Sequence, residues 1–173
     1  GAAANDNVTL RYYADATNMR LDVEQGNIDV AYRSLAPNDV AALAENEDVV
    51  VHEGPGGEIR YIVFNLDTMP FGAAQPDADP AKALAVRQAI AAIIDREAVA
   101  AEIYQDTYQP LLGYVPEGLA AAGHPLAELY GDGEGGPDTE QAAQILADAG
   151  ITEPVTLAQQ YSPYHYDPSS VHE

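Results

Sequence analysis

The sequence has no cysteine, few basic residues and no long apolar run, and each absence excludes a class of function. Without cysteine there is no disulfide bond, no thiolate nucleophile and no cysteine-ligated zinc. Seven basic residues stand against 28 acidic ones, so the formal net charge is −21 at pH 7. A field of that sign repels phosphate backbones and anionic lipid surfaces, so we expect no nucleic-acid partner.

The acidity itself has two explanations, a solvated and colloidally stable surface or selection for cationic ligands. No apolar run approaches the roughly 18 to 20 residues that a membrane span needs. The longest apolar helix is interrupted by Arg87, Gln88, Asp95 and Arg96. With 47% hydrophobic residues, the chain is predicted to be soluble and globular, as one domain or two small halves.

Strand and helix patterns alternate along the chain, which predicts an α/β architecture. The predicted strands are residues 8–13, 28–32, 49–52, 59–66 and 155–161. The predicted helices are residues 17–25, 37–45, 80–104 and 139–149. We expect Gly26 and Gly150 to follow helix ends, and Asn38 or Asp39 to satisfy the first free amides of the second helix. The third helix is predicted to pack through a stripe of Leu84, Ala91, Ile94 and Val99, with a break at Asp95–Arg96 left open.

No motif typical of catalysis is present in the sequence, and no cofactor is predicted. The GxSxG elbow, the HExxH helix and the GxxxxGK[ST] phosphate loop are all absent. Residues 131–140 lack the alternating carboxylates of a calcium loop. One alternative stays open, a hydrolase or transferase site, or a metal site, formed if the tail folds back on itself. Its residues would be His165, Asp167, Ser170 and His172.

Six segments in a fixed order resemble the dipeptide- and oligopeptide-binding receptors of ABC importers, solute-binding family 5. They are GNIDVAYRSLAPNDVAAL (26–43), RYIVFNLDTMPF (60–71), VRQAIAAIIDREAVAAEIY (86–104), GYVPEGL (113–119), AAQILADAGI (142–151) and VTLAQQYSP (155–163). The resemblance covers roughly residues 8–173. It departs from the family pattern at GAAQPDADPAKALA (72–85), which we interpret as a surface insertion.

The resemblance implies a periplasmic-binding-protein-like (type II) fold with two lobes, only part of each being present. Residues 1–66 would belong to the first lobe and end in a crossing strand, and residues 67–173 would begin the second, peptide-binding lobe. Since family members are several times longer, we expect an internal fragment. The implied parent is an extracellular or periplasmic lipoprotein, held at the membrane only by its lipid anchor. It would bind a peptide or related small solute and deliver it to the permease subunits, while the alternative for this chain is a fragment that only packs.

Ligands of open α/β sheets lie beyond the carboxyl ends of the strands, and this rule selects two loops. The first holds Tyr32, Arg33 and Ser34, and the second holds Ser162, Tyr164 and His165. The resemblance places the matching positions in the peptide cleft, together with that of Tyr61.

These residue types suit a peptide ligand. A tyrosine ring offers flat apolar contact and a hydroxyl for an amide, and Arg33 can pair with a carboxylate through two parallel hydrogen bonds. The alternatives are half-buried strand positions for Tyr32 and Tyr61, and a surface ion pair for Arg33.

Overall fold

The computed structural model describes residues 4–32, 35–54, 56–116, 118–119 and 123–161. The chain divides into two compact units, Gly1–His52 and Glu53–Glu173. The lobe boundary predicted after residue 66 stays a prediction.

The first unit contains two helices, α1 (Ala16–Glu24) and α2 (Pro37–Ala44). The carboxylate of Asp15 caps α1 by accepting the backbone N–H of Asn18 at 2.9 Å. Gly26 follows α1 with a φ of 69°, as the sequence predicts, because glycine adopts this conformation without a Cβ penalty. Met19 and Leu43 are the buried residues of the two helices.

The predicted cap of α2 is wrong, since neither Asn38 nor Asp39 caps it. Ala36 occupies the N-cap position and makes no side-chain cap bond. A capping side chain must precede the first helical residue, and here that residue is Pro37. Asp39 lies inside the helix and accepts instead from Arg20 at 2.7 Å, while the same guanidinium contacts Glu24 at 2.8 Å. Arg20 therefore ties α1 to α2.

The second unit contains α3 (Pro80–Ile93), the short α4 (Arg96–Ala98), a π-helical turn (Val99–Ile103) and α5 (Thr139–Asp148). The Asp95–Arg96 break is confirmed, and the carboxylate of Asp95 caps α4 by accepting from the N–H of Ala98 at 2.8 Å. Gly150 follows α5 with a φ of 68°, as expected.

Small side chains join α3 to α5. Ala89 and Ala92 of α3 and Ala142 of α5 form one buried cluster, and Ala92 is completely inaccessible to solvent. The carbonyl oxygen of Ala92 also accepts the N–H of Asp138 at 2.8 Å, which ties the start of α5 to α3. Alanine at these positions lets the two backbones approach closely, because only a methyl group separates them.

A second cluster packs the other part of α3 against the bend that precedes it. Met69, Ala83 and Val86 are buried together, and Phe64 and Phe71 pack against them. The predicted stripe is therefore wrong: the buried residues of α3 are at positions 83, 85, 86, 89 and 92, whereas Leu84 is 46% exposed. Almost every position of α3 is apolar, so the sequence gives little contrast between its faces.

The bend from residue 65 to residue 79 is held by hydrogen bonds although its composition predicts a plain connector. The side-chain oxygen of Asn65 accepts the N–H groups of Asp67 and Thr68, at 3.0 and 3.1 Å. The N–H of Asp79 donates to the carbonyl oxygen of Phe71 at 3.0 Å, and Asp79 then caps α3. The bend is thus a fixed lead into α3.

The described residues contain no strand, so the structure places none of the five predicted strands in a hydrogen-bonded ladder. Many of their apolar residues are exposed instead, at 78% for Val8, 76% for Leu10 and 77% for Val63, whereas Phe64 and Val155 pack against the core. Alternation of residue types decides which side chains share a face, but a strand also needs a neighbouring backbone to pair its N–H and C=O groups. The described residues supply no such neighbour to these segments.

We predict that Ala92→Leu destabilises the second unit, because the added atoms must fit between α3 and α5. Overpacking of this kind costs about 1–3 kcal/mol of unfolding free energy, which urea denaturation monitored by circular dichroism measures. Ala143→Leu on the exposed side of α5 is the control and should change stability by less than about 0.5 kcal/mol. Equal effects of the two substitutions would contradict the packing described here.

Gly72→Ala should disrupt the bend. A Cβ at Gly72 would lie 2.6 Å from the carbonyl oxygen of Asp67 and 2.7 Å from that of Leu66, so the backbone must shift. We expect a loss of about 1–3 kcal/mol in the same denaturation experiment. Gly54→Ala, where a Cβ meets nothing within 4 Å, is the matched control and should be neutral. A neutral Gly72→Ala would show that the bend is loose.

Candidate ligand-binding site

The structure describes two of the predicted ligand contacts, Tyr32 and Tyr61. Both residues are exposed in this chain, at 79% and 75%, and the alternative of half-buried strand positions in a completed sheet stays open. They belong to different units, and each is assessed within its own unit. The remaining predicted contacts lie outside the described residues: Arg33, Ser34, Ser162, Tyr164 and His165. The same holds for the proposed catalytic residues His165, Asp167, Ser170 and His172.

Tyr61 directly follows a cluster of aromatic and charged side chains that the sequence analysis missed. The guanidinium of Arg60 lies 6.0 Å from the ring centroid of Tyr104 and 5.5 Å from that of Tyr108. The two rings are tilted by 48°, with centroids 4.5 Å apart. Cation–π contacts of this kind orient an arginine, so the backbone leading into Tyr61 is anchored. Tyr104 and Tyr108 are four residues apart, a spacing that places two side chains on one face of a helix. This spacing is the feature of the sequence that could have indicated the cluster.

Glu58 completes this cluster. Its carboxylate lies 3.7 Å from the guanidinium of Arg60 and accepts a hydrogen bond from the hydroxyl of Tyr108 at 3.3 Å. Since Glu58 is exposed, the ion pair contributes little free energy, and its main effect is on geometry. The cluster joins Glu58 and Arg60 to Tyr104 and Tyr108, which follow the π-helical turn.

A cavity of about 290 Å³ opens beside Tyr108. Its lining residues come from α4, the π-helical turn and the loop after it: Glu97, Ala100, Ala101, Asp106, Tyr108, Gln109 and Pro110. Gln105 and Asp106 both have positive φ, at 48° and 60°, which is unusual for residues other than glycine. Single π-helical turns and such backbone conformations are frequent at functional sites. The carboxylates can accept hydrogen bonds from a ligand, and the Tyr108 ring offers a flat apolar surface.

A loop centred on Asp132 supports the wall of this cavity. One carboxylate oxygen of Asp132 accepts the N–H groups of Glu134, Gly135 and Gly136, at 2.8, 3.1 and 2.9 Å. A Cβ at Gly135 would lie 3.2 Å from Pro110 and 3.3 Å from Glu97, so the loop packs closely on two lining residues. The hydrogen bond from Glu134, with those from Gly136 and Gly135, holds the pKa of Asp132 below its ordinary value.

Among the described residues no group of three His, Asp or Glu side chains is arranged to hold a metal ion. Within the same ranges, no helix has the length and apolar composition needed to cross a membrane. The candidate site is thus described by its hydrogen-bonding and aromatic groups alone.

Comparison with known proteins gives a family match over nearly the whole chain. Residues 1–170 match the sequence model described as bacterial extracellular solute-binding proteins, family 5 middle. The chain is also 27% identical over 153 residues to heme-binding protein A of Haemophilus influenzae. That alignment covers 87% of this chain but 24% of the relative, so the chain spans about a quarter of the relative's length. No solved structure matches.

Asp132→Asn should weaken folding in a pH-dependent way. Because the pKa of Asp132 is lower in the folded chain than in the unfolded chain, its carboxylate stabilises the fold above the unfolded-state pKa of about 3.9. That stabilisation is lost as the pH falls through the folded-state pKa. The difference in unfolding free energy between the parent and Asp132→Asn should therefore have its largest value at pH 6 and decrease as the pH falls below about 4.

Urea denaturation at pH 6 and at pH 3 measures this difference, and Asp77→Asn is the control. Asp77 is exposed and its carboxylate takes part in none of the hydrogen bonds or ion pairs described, so its replacement should have no such effect at either pH. An Asp132→Asn variant as stable as the parent at pH 6 would contradict the role of the loop.

Proposed function

Because the chain belongs to the bacterial extracellular solute-binding proteins of family 5, we propose that the whole protein is the receptor of an ABC importer. It captures a peptide or a related small solute in a cleft between two lobes and delivers it to the permease subunits. The match over residues 1–170 is the observation that supports this proposal. Ligand binding would favour a closed arrangement of the lobes in proportion to its differential affinity for the two states.

The proposed fold is the α/β, type II periplasmic-binding-protein fold, with residues 1–66 in the first lobe and residues 67–173 in the second. The exposed apolar side chains of the predicted strand segments support it, because such side chains normally lie between the layers of a covered sheet. In the whole protein, neighbouring strands would pair with these segments and cover them. The chain spans 24% of the matched relative, which leaves ample sequence to supply such neighbours.

The proposed ligand contacts are Tyr32, Arg33, Ser34, Tyr61, Ser162, Tyr164 and His165. Tyr61 has the best structural support, since its ring is exposed and the residue before it is anchored by the aromatic rings of Tyr104 and Tyr108. A tyrosine has only two side-chain torsions, so it offers a large contact area at a small loss of conformational entropy, which favours it as an anchor for a peptide or a flat solute.

Heme is a second candidate ligand, and the name of the relative is the observation that favours it. Heme iron in proteins is held by side chains such as histidine and tyrosine, and the sequence contains 4 histidines and 11 tyrosines. The peptide proposal and the heme proposal share the same receptor role and differ only in cargo.

We further propose an extracellular or periplasmic location with a lipid anchor on the whole protein. The description of the family supports the extracellular part of this proposal. It names binding and no reaction, so the hydrolase or transferase alternative built on His165, Asp167, Ser170 and His172 is the weaker hypothesis.

Isothermal titration of the full-length protein with a library of short peptides, and separately with heme, tests this function. We expect saturable binding of one ligand class at one site. Failure of the folded protein to bind peptides, heme or any comparable small solute would count decisively against a receptor. Mass spectrometry of the peptides afterwards distinguishes binding from hydrolysis, because a receptor returns them intact.

Tyr61→Ala tests the contact itself, and Tyr114→Ala is the matched control. The two tyrosines are almost equally exposed, at 75% and 76%, so the substitutions remove similar surface. Loss of an aromatic contact of about 1.4 kcal/mol should weaken binding roughly tenfold for Tyr61→Ala. Unchanged affinity for Tyr61→Ala, or an equal loss in both variants, would remove Tyr61 from the site.

A further inference from the structure

Acidic residues greatly outnumber basic residues in this chain, so the basic residues cannot neutralise its net charge. The sequence has 28 acidic side chains against six arginines and one lysine, Lys82. Even if every basic side chain paired with one carboxylate, three quarters of the carboxylates would keep an uncompensated charge. No charged residue is buried among the residues that the structure describes, so this charge lies at the surface. The folded chain therefore carries a dense negative field.

Within the part of the chain that the structure describes, the ion pairs include the carboxylates of Asp22, Glu24, Asp39 and Glu58. Arg11 pairs with Asp22 at 2.6 Å, and Arg20 contacts two carboxylates at 2.7 and 2.8 Å. Arg60 lies 3.7 Å from Glu58. These pairs are at least partly exposed, and exposed ion pairs contribute little to stability. They do not offset the repulsion among the other acidic side chains.

The hydrophobic core within the described ranges is small, so its burial contributes little free energy to offset the repulsion among the acidic side chains. The buried hydrophobic residues within the described ranges are Met19, Leu43, Met69, Ala83, Ala85, Val86, Ala89, Ala92, Ala100, Tyr104 and Ala142. Six of these are alanines, and no large side chain is fully buried. Burial contributes roughly 25 cal/mol per Å² of apolar area, so a methyl group contributes far less than a leucine or phenylalanine side chain.

We propose that dissolved salt controls the stability of this protein, with small monovalent cations gathered at its acidic surface as the stabilising partner. Folding brings the carboxylates closer together, and a high net charge destabilises the compact state through self-repulsion. The distance over which charges act falls from about 10 Å at 0.1 M salt to about 3 Å at 1 M. Salt also weakens the few ion pairs, but 28 acidic residues against seven basic ones make relief of repulsion the larger effect.

Thermal unfolding of the 173-residue chain between 0.1 and 2 M NaCl, followed by the helical circular dichroism signal, tests this inference. We expect the midpoint Tm to rise by about 10 °C or more, since a few kcal/mol shifts the Tm of a chain of this size by that amount. A chain that is unfolded at 0.1 M should gain helical signal as NaCl is added. A Tm that stays constant or falls with salt would overturn the proposal, and so would a helical signal that is absent at every salt concentration.

A pair of charge variants separates screening from other effects of salt. Glu47, Glu53, Glu128 and Glu153 are exposed and form none of the hydrogen bonds or ion pairs described. Replacing all four by Gln removes four charges, whereas replacing the same four by Asp keeps them. The Gln variant should have the higher Tm at 0.1 M NaCl and a smaller rise with salt, while the Asp variant follows the parent.

Sucrose provides the control for general solvent effects, because it stabilises folded proteins by exclusion from their surface without screening charge. It should raise the Tm of the Gln and Asp variants equally. Equal slopes of Tm against NaCl in the two variants would contradict the proposal, because the four removed charges would then have no part in the response.

Discussion

An extended backbone with alternating apolar side chains is stable only when a neighbouring backbone pairs with it and another layer covers it. This constraint governs five of the nine segments that the sequence predicts as regular structure. Residues 8–13 have this alternation and residues 59–66 are mostly apolar, yet the described residues offer neither segment a strand partner and leave most of their large apolar side chains exposed. The proposed receptor fold satisfies the constraint, since its sheets would be completed by the rest of the protein.

The helices of the second unit, by contrast, are capped and packed by residues of this chain. Asp79 and Asp138 cap α3 and α5, and alanines allow the two helices to pack closely. The carbonyl oxygen of Ala92 binds the N–H of Asp138, so the cap of one helix is tied to the other. The bend before α3 packs against this helix pair, and the side chain of Gln141 in α5 accepts the N–H of Gly131 in the preceding loop at 3.0 Å.

The sequence predicted some features that depend on neighbouring residues, although not the N-cap of α2, and it missed features that depend on distant residues. Glycine after α1 and the break before Arg96 are local effects of backbone freedom and capping, and both were confirmed. The buried side of α3 was mistaken because its partner lies some 50 residues away in α5, and almost every residue of α3 is apolar. Arg60 and its tyrosines were missed because nothing near Arg60 in the sequence indicates which rings it will contact. The family resemblance, which rests on the order of six segments, was confirmed by the match over residues 1–170.

The most direct test of the account is hydrogen exchange at the backbone amides of residues 59–64, in this chain and in the full-length protein. If these residues form a strand of the proposed receptor, their amides exchange rapidly in the 173-residue chain and about a hundredfold or more slowly in the full-length protein. Equally rapid exchange in both would contradict the account, because the segment would then have no backbone partner in the receptor either.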